Sequence, residues 1–120
     1  EVKNMADIVK KSFNSPDEQH KSGRGTVDVV KVGGATLRRL TFQPGWRWSE
    51  DVKPTAKTET CQIAHLNVHI AGRLGVKMID GSKNEYGPGD IALLPPGHDA
   101  WVVGNEPVVI IEQTPQEEQK

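Results

Sequence analysis

The chain has 120 residues and a formal net charge of −1, with acidic and basic residues interspersed, which excludes the basic footprint expected of a nucleic-acid or anionic-membrane binder. Its single cysteine, Cys61, excludes an internal disulfide and a thiolate zinc cage. No apolar run approaches the ~20 residues needed to span a bilayer and the first residues do not form a signal peptide, so one cytoplasmic domain with a small core is expected.

In chain order, Met5 is a candidate start, and Met5, Ile8 and Val9 have helical spacing in a segment equally suited to an edge strand. Ser15 to Gly25 is polar, with a proline and two glycines, and reads as a surface loop in which His20 is solvated. Residues 1–25 are therefore expected to form an N-terminal extension, with regular structure from Thr26. Val27 to Val32 and Ala35 to Phe42 are β-branched or alternating runs joined by Gly33 Gly34, a two-residue hairpin signal. Gln43 Pro44 Gly45 turns the chain. Trp46 to Lys53 then reads as a strand, with Trp46, Trp48 and Glu50 on one face and Arg47, Ser49, Asp51 and Lys53 on the other.

Pro54 to Glu59 is a polar loop. Thr60 to Ala71 is the longest expected strand, and Leu74 to Ile79 follows, closed by the hairpin signal Asp80 Gly81. Gly87 to Gly104 is the most structured stretch. Turn residues lead into Ile91 to Leu94, Pro95 Pro96 Gly97 breaks that run, and His98 opens a second run to Val103. Prolines without an N–H and a permissive glycine make a stiff corner that delivers an imidazole. Val108 to Gln113 is the last strand, and residues 114–120 form a charged tail expected to fray. About eight short strands without convincing helices predict an all-β sandwich or barrel over residues 26–113.

Gly89, Pro95 and Gly97 carry the spacing of the second sequence motif of the cupins. Gly45 and Gly72 fit the glycines of the first motif, with His65 between them at the position of that motif's glutamate. The chain resembles the small single-domain cupins over Val27 to Gln113, including the strings Pro44 to Glu50 and Pro95 to Trp101. The resemblance implies a cupin jelly-roll β-barrel of two antiparallel sheets. It also shows substitutions: Asp51 and Lys53 stand where the first motif has its two histidines, and Ala100 where the second has its own. His98, two residues earlier, points to the same side of its strand.

The long strand has an apolar face of Ala64, Leu66, Val68 and Ile70 and a polar face of His65, Asn67 and His69. Pattern alone puts the apolar face in the core and the histidines in water. The cupin register implies the reverse, with the polar residues around the cavity and the apolar ones outward, covered by a second subunit in a homodimer. On that register the expected metal ligands are His65, His98 and Asp51, with His69 as an alternative third ligand. The ion would be a divalent transition metal: Fe, Mn, Ni, Zn or Cu.

Asp51 is also the candidate general base, and a solvated or salt-bridged carboxylate is the competing reading. His69, Asn67 and Lys53 are the candidate contacts to a small polar ligand. Asp99 is expected to cap a turn or pair at the surface, and Trp46, Trp48 and Trp101 to pack in the core or an interface. Cys61 lies an even number of residues from His65 and reads as buried packing rather than a nucleophile. The expected function is a small-molecule-binding cupin with a divalent metal, whether enzyme or not. The alternative is a metal-free binding or sensing module.

Overall fold

The computed structural model describes residues 7–56 and 65–113. Among these residues nine strands follow in chain order: β1 (Glu18–Ser22), β2 (Gly25–Val32), β3 (Ala35–Phe42), β4 (His65–Ala71), β5 (Arg73–Met78), β6 (Lys83–Tyr86), β7 (Ile91–Leu94), β8 (His98–Val103) and β9 (Val108–Gln113), with two described single-turn helices, α1 (Trp48–Asp51) and α2 (Lys53–Ala56), between β3 and β4. One sheet has the order β1-β2-β3-β9-β4-β7 and the other β6-β5-β8, and every pairing is antiparallel. The all-β expectation is met, in two antiparallel sheets around a common interior. Among the described residues no helix is long and apolar enough to cross a membrane.

The core follows from alternation along the strands. Val108 and Ile110 of β9, Ala92 and Leu94 of β7, Leu74 and Val76 of β5 and Ala100 and Val102 of β8 are buried between the sheets, together with Trp46 and Trp48. Trp46 stacks on Phe42 with ring centroids 3.8 Å apart. Trp101 is different. It lies against Gly75, whose missing Cβ leaves room for the indole, and Arg47 sits 5.1 Å from the ring centroid.

Turn chemistry holds the strands in register. Gly33 and Gly34, at φ 53° and 87°, close the β2–β3 hairpin, where Val32 pairs with Ala35. Gly45, Gly72, Gly89 and Gly97, the glycines that carry the cupin resemblance, all have φ between 75° and 96°. Residues with a Cβ rarely adopt that conformation, so the motif's glycines mark turns that only glycine makes cheaply.

Three expectations are corrected. The first concerns Ser15 to Gly25, which is not a loop throughout, because β1 pairs with β2 from Glu18↔Val29 to Ser22↔Gly25. Its side chains are nearly all exposed, so this edge strand has no apolar alternation to read. The same reason hid β6, whose four residues Lys83, Asn84, Glu85 and Tyr86 are exposed or half-buried.

The third correction is Trp46 to Lys53, which leaves the extended conformation after a single bridge between Arg47 and Trp101. Two carboxylates start α1 there: Asp99 accepts from the Ser49 N–H at 3.1 Å, and Asp51 reaches back to the Arg47 N–H at 2.9 Å. Satisfying N–H groups at a helix start favours the helical turn over continued strand. Asp99 thus caps a turn, as expected.

Residues 7–17 carry no regular element, and Lys11 to Asp17 lie against the outer face of β2 and β3. Arg39 stacks over Phe13 at 5.4 Å, donates to the Phe13 carbonyl at 3.3 Å and pairs with Asp28 at 2.9 Å. Asp17 binds Lys11 at 2.7 Å and accepts from the Lys31 N–H at 2.7 Å. The outer face of β4 and β7 has no such cover among the described residues. Leu66, Val68, Ile70, Ile91 and Leu93 are 41–73% exposed.

Candidate functional site

Strand β4 sets the polar side of the interior. Its buried valleys fall on Asn67 and His69, with His65 half-buried, while Leu66, Val68 and Ile70 face out. The cupin register therefore overrides the hydrophobic pattern. The neighbouring strands show why: Asn67 pairs with Ala92 and Glu112, and His69 with Ile110, all buried residues of inward faces.

His65 and His98 come together from the two sheets, with ring centroids 5.4 Å apart at an interplanar angle of 64°. The Pro95 Pro96 Gly97 corner holds His98 by more than stiffness. The Pro95 carbonyl lies 2.8 Å from His98 Nδ1. A carbonyl only accepts, so Nδ1 carries the proton and Nε2 the lone pair of the neutral ring. On the other ring, His65 Nδ1 donates to Glu112 at 3.2 Å. Both imidazoles thus have the tautomer and fixed orientation in which metal-ligating histidines are usually held by an oxygen behind them.

Glu112 is the residue that sequence reasoning missed. It is 5% exposed at the inward end of β9, accepting from His65 and from Asn67 Nδ2 at 3.2 Å. Arg38 stands opposite it in the β3–β9 register. Burial pushes the Glu112 carboxyl up, but its hydrogen-bonded contact with His65, the Asn67 amide and the charge of Arg38 outweigh it and hold the group below the ordinary glutamate value. The signal was present: Val108, Ile110 and Glu112 share one face of an apolar strand, and a carboxylate at an inward core position needs partners.

Asp51, expected as ligand or base, is placed elsewhere. It lies on α1 with both oxygens engaged, Oδ1 by the Arg24 N–H at 3.0 Å and Nε at 3.1 Å, Oδ2 by Arg24 Nη2 at 3.1 Å and the Arg47 N–H at 2.9 Å. The competing reading of a salt-bridged carboxylate applies. Its Oδ1 also packs against Gly23, where a Cβ would collide with it. The expectation failed because the face assignment assumed a strand, and helical geometry turns the side chain toward the β1–β2 turn. Lys53 opens α2 for the same reason, so the strand alternation that put it beside Asp51 does not apply. Cys61 lies outside the described residues.

Further along β4, His69 is 1% exposed and its ring stacks on Tyr86 at 5.2 Å. Four strand steps separate it from His65, roughly 13 Å, so the two cannot share an ion. Burial lowers the His69 pKa, opposed by the nearby charge of Asp90, so the ring is held neutral. Among the described residues neither His69 nitrogen has a hydrogen-bond partner, nor does Asn67 Oδ1. Leaving such atoms unpaired costs roughly 1–3 kcal/mol each, so they are strong points for a bound polar molecule.

The donor set fits a divalent metal in part. With ring centroids 5.4 Å apart, His65 and His98 are the residues that would hold such an ion. Among the described residues, however, no three histidine, cysteine or carboxylate side chains converge as a ready-made ligand set.

No family model matches the sequence, and no curated protein matches it either. Solved structures do. A Rhizobium leguminosarum protein of unknown function is 21% identical with a TM-score of 0.62, over 89% of this chain and 95% of that one. The polyketide cyclase RemF from Streptomyces resistomycificus is 15% identical with a TM-score of 0.61, over 90% and 82%. Oxalate decarboxylase from Lactobacillus farciminis is 16% identical with a TM-score of 0.57, over 80% of this chain and only 30% of the enzyme. The fold is that of a cupin. At these identities the likeness carries the fold and not the chemistry, and the cupin scaffold hosts many functions.

Proposed function

We propose that this cupin binds a small polar molecule in its interior beside a divalent transition metal held by Nε2 of His65 and His98. The single observation behind this reading is the imidazole pair at 5.4 Å, each ring backed through Nδ1 by a protein oxygen. Zn, Cu, Fe, Ni and Mn are all compatible with imidazole and oxygen donors. His65 and His98 would hold the ion, which would supply Lewis acidity to a bound oxygen-bearing ligand. The protein's own part is to fix the two rings, keep Glu112 ionised behind His65 and present Asn67 and His69 to the ligand. Names among the structural neighbours span a decarboxylase and a cyclase, so they favour no one reaction.

A metal-free binding module is the second reading, favoured by the absence of a third converging ligand among the described residues. Elemental analysis of purified protein and of the His65→Ala and His98→Ala variants separates the two. Stoichiometric metal lost in both variants supports the first reading. Metal absent from every preparation, with a small ligand still raising Tm, overturns it in favour of the second.

We also propose that two copies pair through the outer face of β4 and β7. Leu66, Val68, Ile70, Ile91 and Leu93 are apolar without an intervening charge, and a patch of one chemistry is complementary to itself, as an isologous contact requires. β7 is moreover an edge strand, and its exposed apolar side chains lie where a second copy can reach them. The net charge of −1, without a basic excess, favours a protein without a nucleic-acid partner.

A further inference from the structure

We propose that the ligand is an uncharged, hydroxyl-bearing molecule of polyol or sugar type, read along β4 by Asn67 Oδ1 and the His69 ring. The proposal rests on the reading of the interior as a ligand site and deepens it to a substrate class.

Asn67 has little choice of orientation. Its neighbour Glu112 only accepts, so the amide nitrogen must face the carboxylate, as it does at 3.2 Å, and Oδ1 must face the other way. That oxygen is buried and has no partner among the described residues, in a side chain 5% exposed. Two residues on, roughly 7 Å along the same inward face, both nitrogens of His69 are in the same condition in a residue 1% exposed.

Together the two side chains offer two acceptors and one donor, with no net charge while His69 is neutral. An ammonium group only donates and would leave the His69 N–H unanswered. A carboxylate only accepts and would leave Asn67 Oδ1 and the second imidazole nitrogen facing oxygen lone pairs. Hydroxyl groups both donate and accept, so adjacent hydroxyls on a short carbon chain satisfy all three atoms. Tyr86, stacked on His69 at 5.2 Å, holds that ring in place without using either nitrogen.

The test uses the full chain, labelled for NMR of side-chain nitrogens, with erythritol as the probe, a butanediol bearing only the two terminal hydroxyls, and zinc alone. Erythritol is expected to shift the Asn67 amide and both His69 ring nitrogens. The butanediol should bind at least roughly tenfold more weakly, because it lacks the inner hydroxyls that answer the buried atoms. Asn67→Leu and His69→Phe should each lose the erythritol response. The wild-type shifts decide the matter if either variant fails to fold.

No shift at Asn67 and His69 with erythritol, or equal binding of the butanediol, overturns the proposal. Zinc responses at His65 and His98 are scored separately. If they are present while erythritol is silent, the substrate class falls and the metal reading stands. Erythritol binding without any zinc response does the opposite.

Discussion

His65 and Glu112, on neighbouring strands β4 and β9 and 47 positions apart in sequence, are joined at 3.2 Å through Nδ1 and a carboxylate oxygen. This contact turns a half-buried imidazole into an oriented donor, and it ties the acidity of the core to the candidate metal centre.

Replacing the carboxylate should therefore be felt in two readouts. Glu112→Gln keeps the shape but removes the charge-assisted acceptor behind His65. Zinc affinity should fall about 10–100-fold, the usual effect of losing such a supporting oxygen, as measured by competitive titration. Urea unfolding should show a loss of roughly 1–3 kcal/mol from the weakened buried network.

Acid should weaken the fold in two windows. Glu112 has a folded pKa below its reference of 4.5, so the folded state binds fewer protons than the unfolded chain; its stabilising contribution is complete above that reference and is lost as pH falls through the lowered value. His69 has a folded pKa below its reference of 6.5, so its contribution is present above that value and declines as pH falls toward the lowered one. Melting temperature measured across this range should fall in two steps, and His69→Phe should remove the step nearer neutrality.

Asp51→Ala should separate stability from the site. The carboxylate caps the Arg47 and Arg24 N–H groups and pairs with Arg24, and losing a cap of this kind costs about 0.5–2 kcal/mol. Zinc binding should be unchanged. A loss of metal uptake in a folded Asp51→Ala protein would restore Asp51 to the site.

Leu66→Glu combined with Leu93→Glu places charges on the outer face of β4 and β7. Sedimentation velocity should show a dimer for the native chain and a monomer for the variant, with unaltered metal uptake. A monomeric native chain at micromolar concentration would remove the proposed interface.

Much of this architecture was readable before any coordinates. β7, β8 and β9 fall where turn residues and apolar runs placed them, and the facing of His65 and His98 follows from the cupin register. Pattern alone would have put Leu66, Val68 and Ile70 inside, because it has no means of telling a core from a face awaiting cover. Exposed strands such as β1 and β6 leave no periodic trace. Asp51 was misplaced because α1 owes its start to Asp99, a residue 50 positions from Ser49 whose capping role is a tertiary fact. Glu112 was legible in principle, yet its partners emerge only once β9 is seen to lie between β3 and β4.

The acceptor behind His98 is the main-chain oxygen of Pro95, and main-chain atoms are not encoded residue by residue. Substitution at Pro95 can loosen the corner, but it cannot delete the oxygen. Over evolutionary drift the protonation pattern of His98 is thus inherited with the turn itself, whereas that of His65 hangs on a single glutamate codon. The two halves of the pair differ in mutational robustness: one substitution at position 112 removes the oxygen behind its imidazole, and none at position 95 does.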